Sequence, residues 1–171
     1  MNEGYRAWGV LKIVLSNRGL GIRAKKCLYE GVIVPTALYG AEAWRMRSPE
    51  RRKVNVLEMK CLRSLVGVSR TDRVRNKEVR RRAGIERELA SREDQRVLRW
   101  FGHVKRIDEY RMARRVLMAE VSGGRYEGGR VRGRPRLGWM DGVKVALGNR
   151  GMMVEAARKT GQCREPWYIC N

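Results

Sequence analysis

Between Ser48 and Gly67 the residues Val54, Leu57, Cys61, Leu62 and Leu65 recur at intervals of three and four, a spacing that lines one face of an α-helix and no face of a strand. Ser48-Pro49 supplies a capping hydroxyl ahead of a proline at the first helical position, and Gly67 supplies a stop, so the pattern predicts a helix over 49–66. The same period returns in Leu89, Val97, Leu98, Phe101 and Val104, which predicts a second helix over 87–106 with Gly102 as its weak point. Strand alternation is nearly absent. The expected fold is all-α: a bundle of short helices, then a basic Gly/Arg-rich linker, then weaker C-terminal helices.

Smaller elements fit around these two. Asn76 is placed to cap a helix over 77–83 that Gly84 closes, and Asp108 to cap one running through Met112, Val116 and Leu117. Residues 22–34 have a helical pattern that Pro35 is expected to end or kink, because proline disfavours the helical conformation of the residue before it. Gly123-Gly124 and Gly128-Gly129 bracket a stretch without apolar period, read as a flexible linker over 122–136, with further helices over 137–147 and 152–160. Four regions result: 1–70, 71–121, 122–136 and 137–171.

Charge constrains the partner. The 171 residues hold 39 Lys and Arg against 18 Asp and Glu, a net charge of +21, while a 43% apolar fraction is enough to build a core. No apolar run reaches the ~18 residues of a membrane-spanning helix, so no membrane partner is expected. The N-terminus lacks the pattern of a secretory signal, and an intracellular, reducing compartment is expected. The excess divides as +4 over 1–50, +12 over 51–115 and +5 over 116–171. Clustered cations release counterions from a phosphate backbone, which makes nucleic acid, RNA or DNA, the expected partner. Arg80, Arg81, Arg82, Lys105 and Arg106 are the candidate phosphate contacts of the middle segment. The competing reading of the arginine run is a solvated helix face balanced by Glu78, Glu86 and Glu88. Arg130, Arg132, Arg134 and Arg136 are candidates of another kind. Arg132-Gly133-Arg134-Pro135-Arg136 looks like an AT-hook core, flat enough for a narrow A·T minor groove, but the match is weakly specific and a merely flexible cationic linker is the stronger reading.

Catalytic chemistry finds no footing. Two-metal nucleotidyl transfer needs carboxylates brought together, commonly a neighbouring aspartate pair, and there is none. Glu93-Asp94 and Asp108-Glu109 are explained by surface ion pairing and helix capping, and Asp72 and Asp141 stand alone. His103, the one histidine, has no nucleophile beside it and reads as a packed group near Trp100 and Phe101. Gly19-Leu20-Gly21 lacks the strand and the lysine of a phosphate loop. Cys27, Cys61, Cys163 and Cys170 are scattered beyond metal-site spacing, so neither a metal nor a cofactor is expected.

Six segments, taken in order, resemble the region downstream of the polymerase core in reverse transcriptases of non-LTR, LINE-like retrotransposons. They are Pro35-Thr36-Ala37-Leu38-Tyr39-Gly40-Ala41-Glu42-Ala43-Trp44, Leu57-Glu58-Met59-Lys60-Cys61-Leu62-Arg63, Asp72-Arg73-Val74-Arg75-Asn76, Leu98-Arg99-Trp100-Phe101-Gly102-His103-Val104, Arg132 to Arg136, and Trp139-Met140-Asp141. The resemblance implies that residues 10–70 correspond to the thumb and the segment after it, which in such enzymes lies against the template-primer duplex, and that 85–141 correspond to the carboxy-terminal extension. Two departures stand out. The aspartate-pair motif and an endonuclease domain are missing. The tail keeps Arg164 and Trp167 of the family's Asp-Arg-x-x-Trp-Arg pattern, but Cys163 and Tyr168 replace its other two members, as in a truncated or decaying copy.

The expectation is a nucleic-acid-binding, C-terminal fragment of a retrotransposon reverse transcriptase, not itself an RNA-directed DNA polymerase, and nuclear by the habits of such elements. Two alternatives stand beside it. One is an interaction module that docks on a separate polymerase core through Tyr39, Trp44 and the Pro35 turn; the other is a retroelement remnant without a selected role.

Overall fold

The computed structural model describes residues 2–44, 48–121 and 138–152, and they form helices joined by turns and loops, with no strand among them. Helix α1 is Asn2–Ser16, α2 Ile22–Leu28, α3 Val34–Ala37, α4 Ser48–Val66, α5 Asn76–Ala83, α6 Leu89–Arg106, α7 Met112–Val121 and α8 Trp139–Gly148. The expected linker over 122–136 and the helix over 152–160 lie outside the described residues, save Met152. The chain forms two compact units, one of residues 1–40 and 47–93, the other of 41–46 and 94–171.

The first unit is organised on α4. Its predicted stripe of Val54, Leu57, Cys61, Leu62 and Leu65 is buried. α1 and α5 both pack on α4. Gly4 is what lets α1 come close, because an alanine there would set its Cβ 2.8 Å from the Ala37 Cβ and 2.9 Å from Leu57 Cδ2. The Tyr5 hydroxyl then donates to the Lys53 carbonyl at 3.3 Å. α4 and α5 stop in the same way. Gly67 (φ +73°) and Gly84 (φ +64°) adopt left-handed backbone, and the following N–H groups of Val68 and Ile85 reach back to the carbonyls of Arg63 and Arg80 at 3.0 and 3.1 Å.

The helix does not end at Pro35. A widened, π-type turn over Tyr29–Ile33 precedes it, and α3 runs through the proline to Ala37. Proline has no N–H and its ring crowds the carbonyl four residues back, and the wider turn absorbs both effects upstream. Asn76 does not cap α5. Its Oδ1 accepts from Arg63 Nη2 at 3.1 Å, and Arg75, in extended conformation, occupies the cap position.

The second unit has an apolar core of Val97, Leu98, Phe101 and Val104 from α6, Leu117 from α7, and Met140, Val143, Ala146 and Leu147 from α8. Polar groups tie its rim. Trp139 Nε1 donates to the Glu42 carbonyl at 2.8 Å, Asn149 Nδ2 donates to Asp94 at 3.1 Å, and the Trp139 ring lies 6.3 Å from that of Phe101. Asp141 accepts from the Gly138 N–H at 2.8 Å, which caps α8. Asp108 does not cap α7, which starts four residues later; Met112 and Val116 of that helix are exposed and only Leu117 is buried.

Candidate nucleic-acid interface

The arginine run on α5 is heavily compensated. Arg80 donates from Nη2 to Glu58 at 2.7 Å and pairs through Nη1 with Glu88 at 2.8 Å. Glu58 is fully buried, and its second oxygen accepts the Leu89 N–H at 3.0 Å, which caps α6. Arg80 thus neutralises a buried carboxylate. Arg81 and Arg82 both donate to Glu78 at 2.8 Å, and these bonds, Arg81's first, hold the Glu78 carboxyl down to about 2. Of the other predicted phosphate contacts, Lys105 is half-buried with its ammonium 5.7 Å from the Phe101 ring centroid, and Arg106 is exposed in the last turn of α6. Arg130, Arg132, Arg134 and Arg136 lie outside the described residues.

A different set of cations comes together in the first unit. An open groove of about 1380 Å³ is lined by Trp8, Lys12 and Ser16 of α1, by Asn55, Lys60, Arg63 and Ser64 of α4, by Ser69 and Arg70 beyond it, and by Arg18, Lys25 and Arg80. Glu88 is the one carboxylate in its lining, and it already holds Arg80. Lys12, Arg18, Lys60 and Arg70 are exposed, with no carboxylate partner among the described residues. Lys25 is 6% exposed, and its side chain has no hydrogen bond or ion pair among the described residues. Its stem is buried while the ammonium meets solvent in the groove, where an anion can reach it. Arg63 is spent on structure, donating to the carbonyls of Ser69 (3.1 Å) and Val74 (2.8 Å), which fixes the loop that carries Arg70. Asp72 fixes the same loop by accepting the Ser69 N–H at 2.7 Å.

Aromatic rings sit among these cations. The Lys60 ammonium lies 5.1 Å from the Tyr5 ring centroid and 5.4 Å from that of Trp8, and Lys12 covers Trp8 at 5.6 Å. Trp8 Nε1 and Asn55 Oδ1 are both shut off from solvent without a hydrogen-bond partner.

Sequence reasoning named Arg80 but missed Lys12, Arg18, Lys25, Lys60 and Arg70. A signal was present: none of the five has an Asp or Glu three or four residues away, whereas Arg81 and Arg82 have Glu78 at those spacings. Two other expectations are corrected. Glu93 and Asp94 are buried, not surface ion pairs, with Arg51 Nη1 3.9 Å from Glu93 and Asn149 on Asp94. His103 is exposed, with its ring 5.3 Å from that of Trp100, and is not packed in the core.

No group of three or more metal-ligating side chains occurs among the described residues, and no helix among them is long and apolar enough to cross a membrane. Cys61 is buried, and desolvation, followed by the charge of Glu58, pushes its thiol up to about 12. Comparison of the chain with protein-family models, curated proteins and solved structures finds no match.

Proposed function

We propose that this chain binds nucleic acid through the basic groove of its first unit, as a nuclear, C-terminal fragment of a non-LTR retrotransposon reverse transcriptase that performs no polymerisation itself. The observation that carries the binding is a groove whose cations Lys12, Arg18, Lys25, Lys60 and Arg70 have no carboxylate partner among the described residues. A phosphodiester backbone supplies regularly spaced anions to such a surface without needing any one of them to be recognised.

The family assignment rests on the six segments of sequence, five of which lie in the described residues. Leu57 to Arg63 and Asp72 to Asn76 meet through the Arg63 hydrogen bonds. Leu98 to Val104 and Trp139 to Asp141 share the second core, and Trp139 is bonded to Glu42 of the first segment. Tyr39, 83% exposed, favours a second reading in which that ring docks on a protein partner.

The test is affinity for a short nucleic acid as a function of salt. Five phosphate contacts on a single strand give a log–log slope of about −3.5, or a loss of ~50-fold between about 0.1 and 0.3 M salt. A salt-insensitive affinity rejects the phosphate-binding reading and leaves apolar docking. Primer extension with magnesium or manganese is expected to stay at background, and incorporation that vanishes on Asp72→Asn or Asp141→Asn would overturn the non-polymerase assignment.

A further inference from the structure

We infer that the groove takes single-stranded nucleic acid, with Trp8 as a stacking platform for one base that Lys12 and Lys60 cover until phosphates draw them away. The inference rests on the nucleic-acid reading above and adds to it the strandedness of the ligand and the residue that senses it.

Lys12 and Lys60 both lack a carboxylate partner among the described residues and instead lie against the Trp8 indole, at 5.6 and 5.4 Å from its centroid. An ammonium over an aromatic ring is held by the ring's quadrupole, an attraction weaker than an ion pair with a phosphate and weaker than a base stacked on the same ring. A single strand supplies both replacements at once. Its phosphates take the two ammoniums, and an unstacked base takes the uncovered indole. A duplex supplies only the phosphates, because its bases are already stacked and paired. Lys25 and Arg70 line the same groove and can hold the flanking backbone.

The experiment measures binding of the full chain to three probes of equal length by fluorescence anisotropy: an oligothymidylate, the same strand made abasic, and a duplex. The wild type is expected to bind oligothymidylate ~5 to 100-fold more tightly than the abasic strand, the range that one base–aromatic stack provides. Trp8→Leu, which keeps an apolar side chain in place but frees Lys12 and Lys60, is expected to erase that ratio without weakening abasic binding. Equal losses on both single strands, or a wild-type ratio near one, would overturn the inference while the salt-dependent binding of the abasic strand still upheld the nucleic-acid reading. Absence of binding to all three probes would overturn both. If circular dichroism shows that Trp8→Leu does not fold, Lys60→Met decides. It removes a phosphate contact and a cover together, so abasic affinity should fall while the ratio persists or rises, and a collapsed ratio would overturn the inference. Tighter binding of duplex than of oligothymidylate would also overturn it.

Discussion

The arginine run on α5 and the groove beside α1 are both basic, but they differ in what surrounds the charge. Arg80, Arg81 and Arg82 are adjacent in sequence, and each is matched by a glutamate at 2.7 to 2.8 Å. Lys12, Arg18, Lys25, Lys60 and Arg70 are scattered over 59 positions, 12 to 70, and none has such a partner among the described residues. Density of charge along a chain is therefore a poor guide to uncompensated charge on its surface. A helix that carries three cations in succession also offers the spacing at which acids neutralise them. The groove gathers its cations from separate elements, where no local acid reaches.

The largest effect that could break this contrast is on stability. If Arg80 serves mainly to neutralise Glu58, then Glu58→Ala, which leaves Arg80 only Glu88 and removes the cap from Leu89, should destabilise the first unit by ~2 to 4 kcal/mol in chemical denaturation. A loss below ~0.5 kcal/mol, the range of ordinary surface changes, would release Arg80 for phosphate contact. A smaller effect is expected at the groove wall. Gly4→Ala forces its new methyl against Ala37 and Leu57, and overpacking of this kind costs ~1 to 3 kcal/mol. If the variant melts like the wild type, α1 is not held against α4 as described. The smallest effect belongs to Arg81 and Arg82. Their joint replacement by alanine should leave the melting midpoint within replicate scatter and change affinity for a short strand by less than about 2-fold, since their charge is shared with Glu78 and little is left for phosphate. The pH dependence has a definite sign. The folded Glu78 carboxyl is depressed to about 2, so whatever this cluster contributes is present above the ordinary carboxylate range and is lost as pH falls through about 2. Any shift of the thermal midpoint by Glu78→Gln should be seen at neutral pH and vanish as pH falls through about 2, and a shift that appeared only at or below that pH would contradict the pairing.

Much of the helical frame was legible because it depends on period. The stripes of α4 and α6 are buried as their spacing requires, and the glycine stops at Gly67 and Gly84 fall where expected. α1 gave no such signal. Its apolar residues Val10, Leu11, Ile13, Val14 and Leu15 are nearly consecutive, only Leu15 among them is buried, and Ile13 is 82% exposed. The buried carboxylates could have been found by position. Glu58 stands four residues from both Val54 and Leu62, and Asp94 three and four from Val97 and Leu98, so both lie on faces that the apolar stripes had already assigned to the interior. The partners could not. Glu58 meets Arg80 across 22 residues and Asp94 meets Asn149 across 55, and no local rule connects such pairs. The groove was hidden for the same reason, being a product of how α1, α2 and α4 pack.

The most direct test of the groove as the nucleic-acid surface is the salt dependence of single-strand affinity in three proteins: the wild type, Lys12→Ala/Lys60→Ala/Arg70→Ala, and Arg81→Ala/Arg82→Ala. Three lost phosphate contacts should make the log–log slope of the groove variant shallower by about 2, and the slope of the arginine-run variant should stay within about 0.5 of the wild type. The opposite result, an unchanged slope for the groove variant and a flattened one for the arginine run, would place the nucleic acid on α5 and contradict this account.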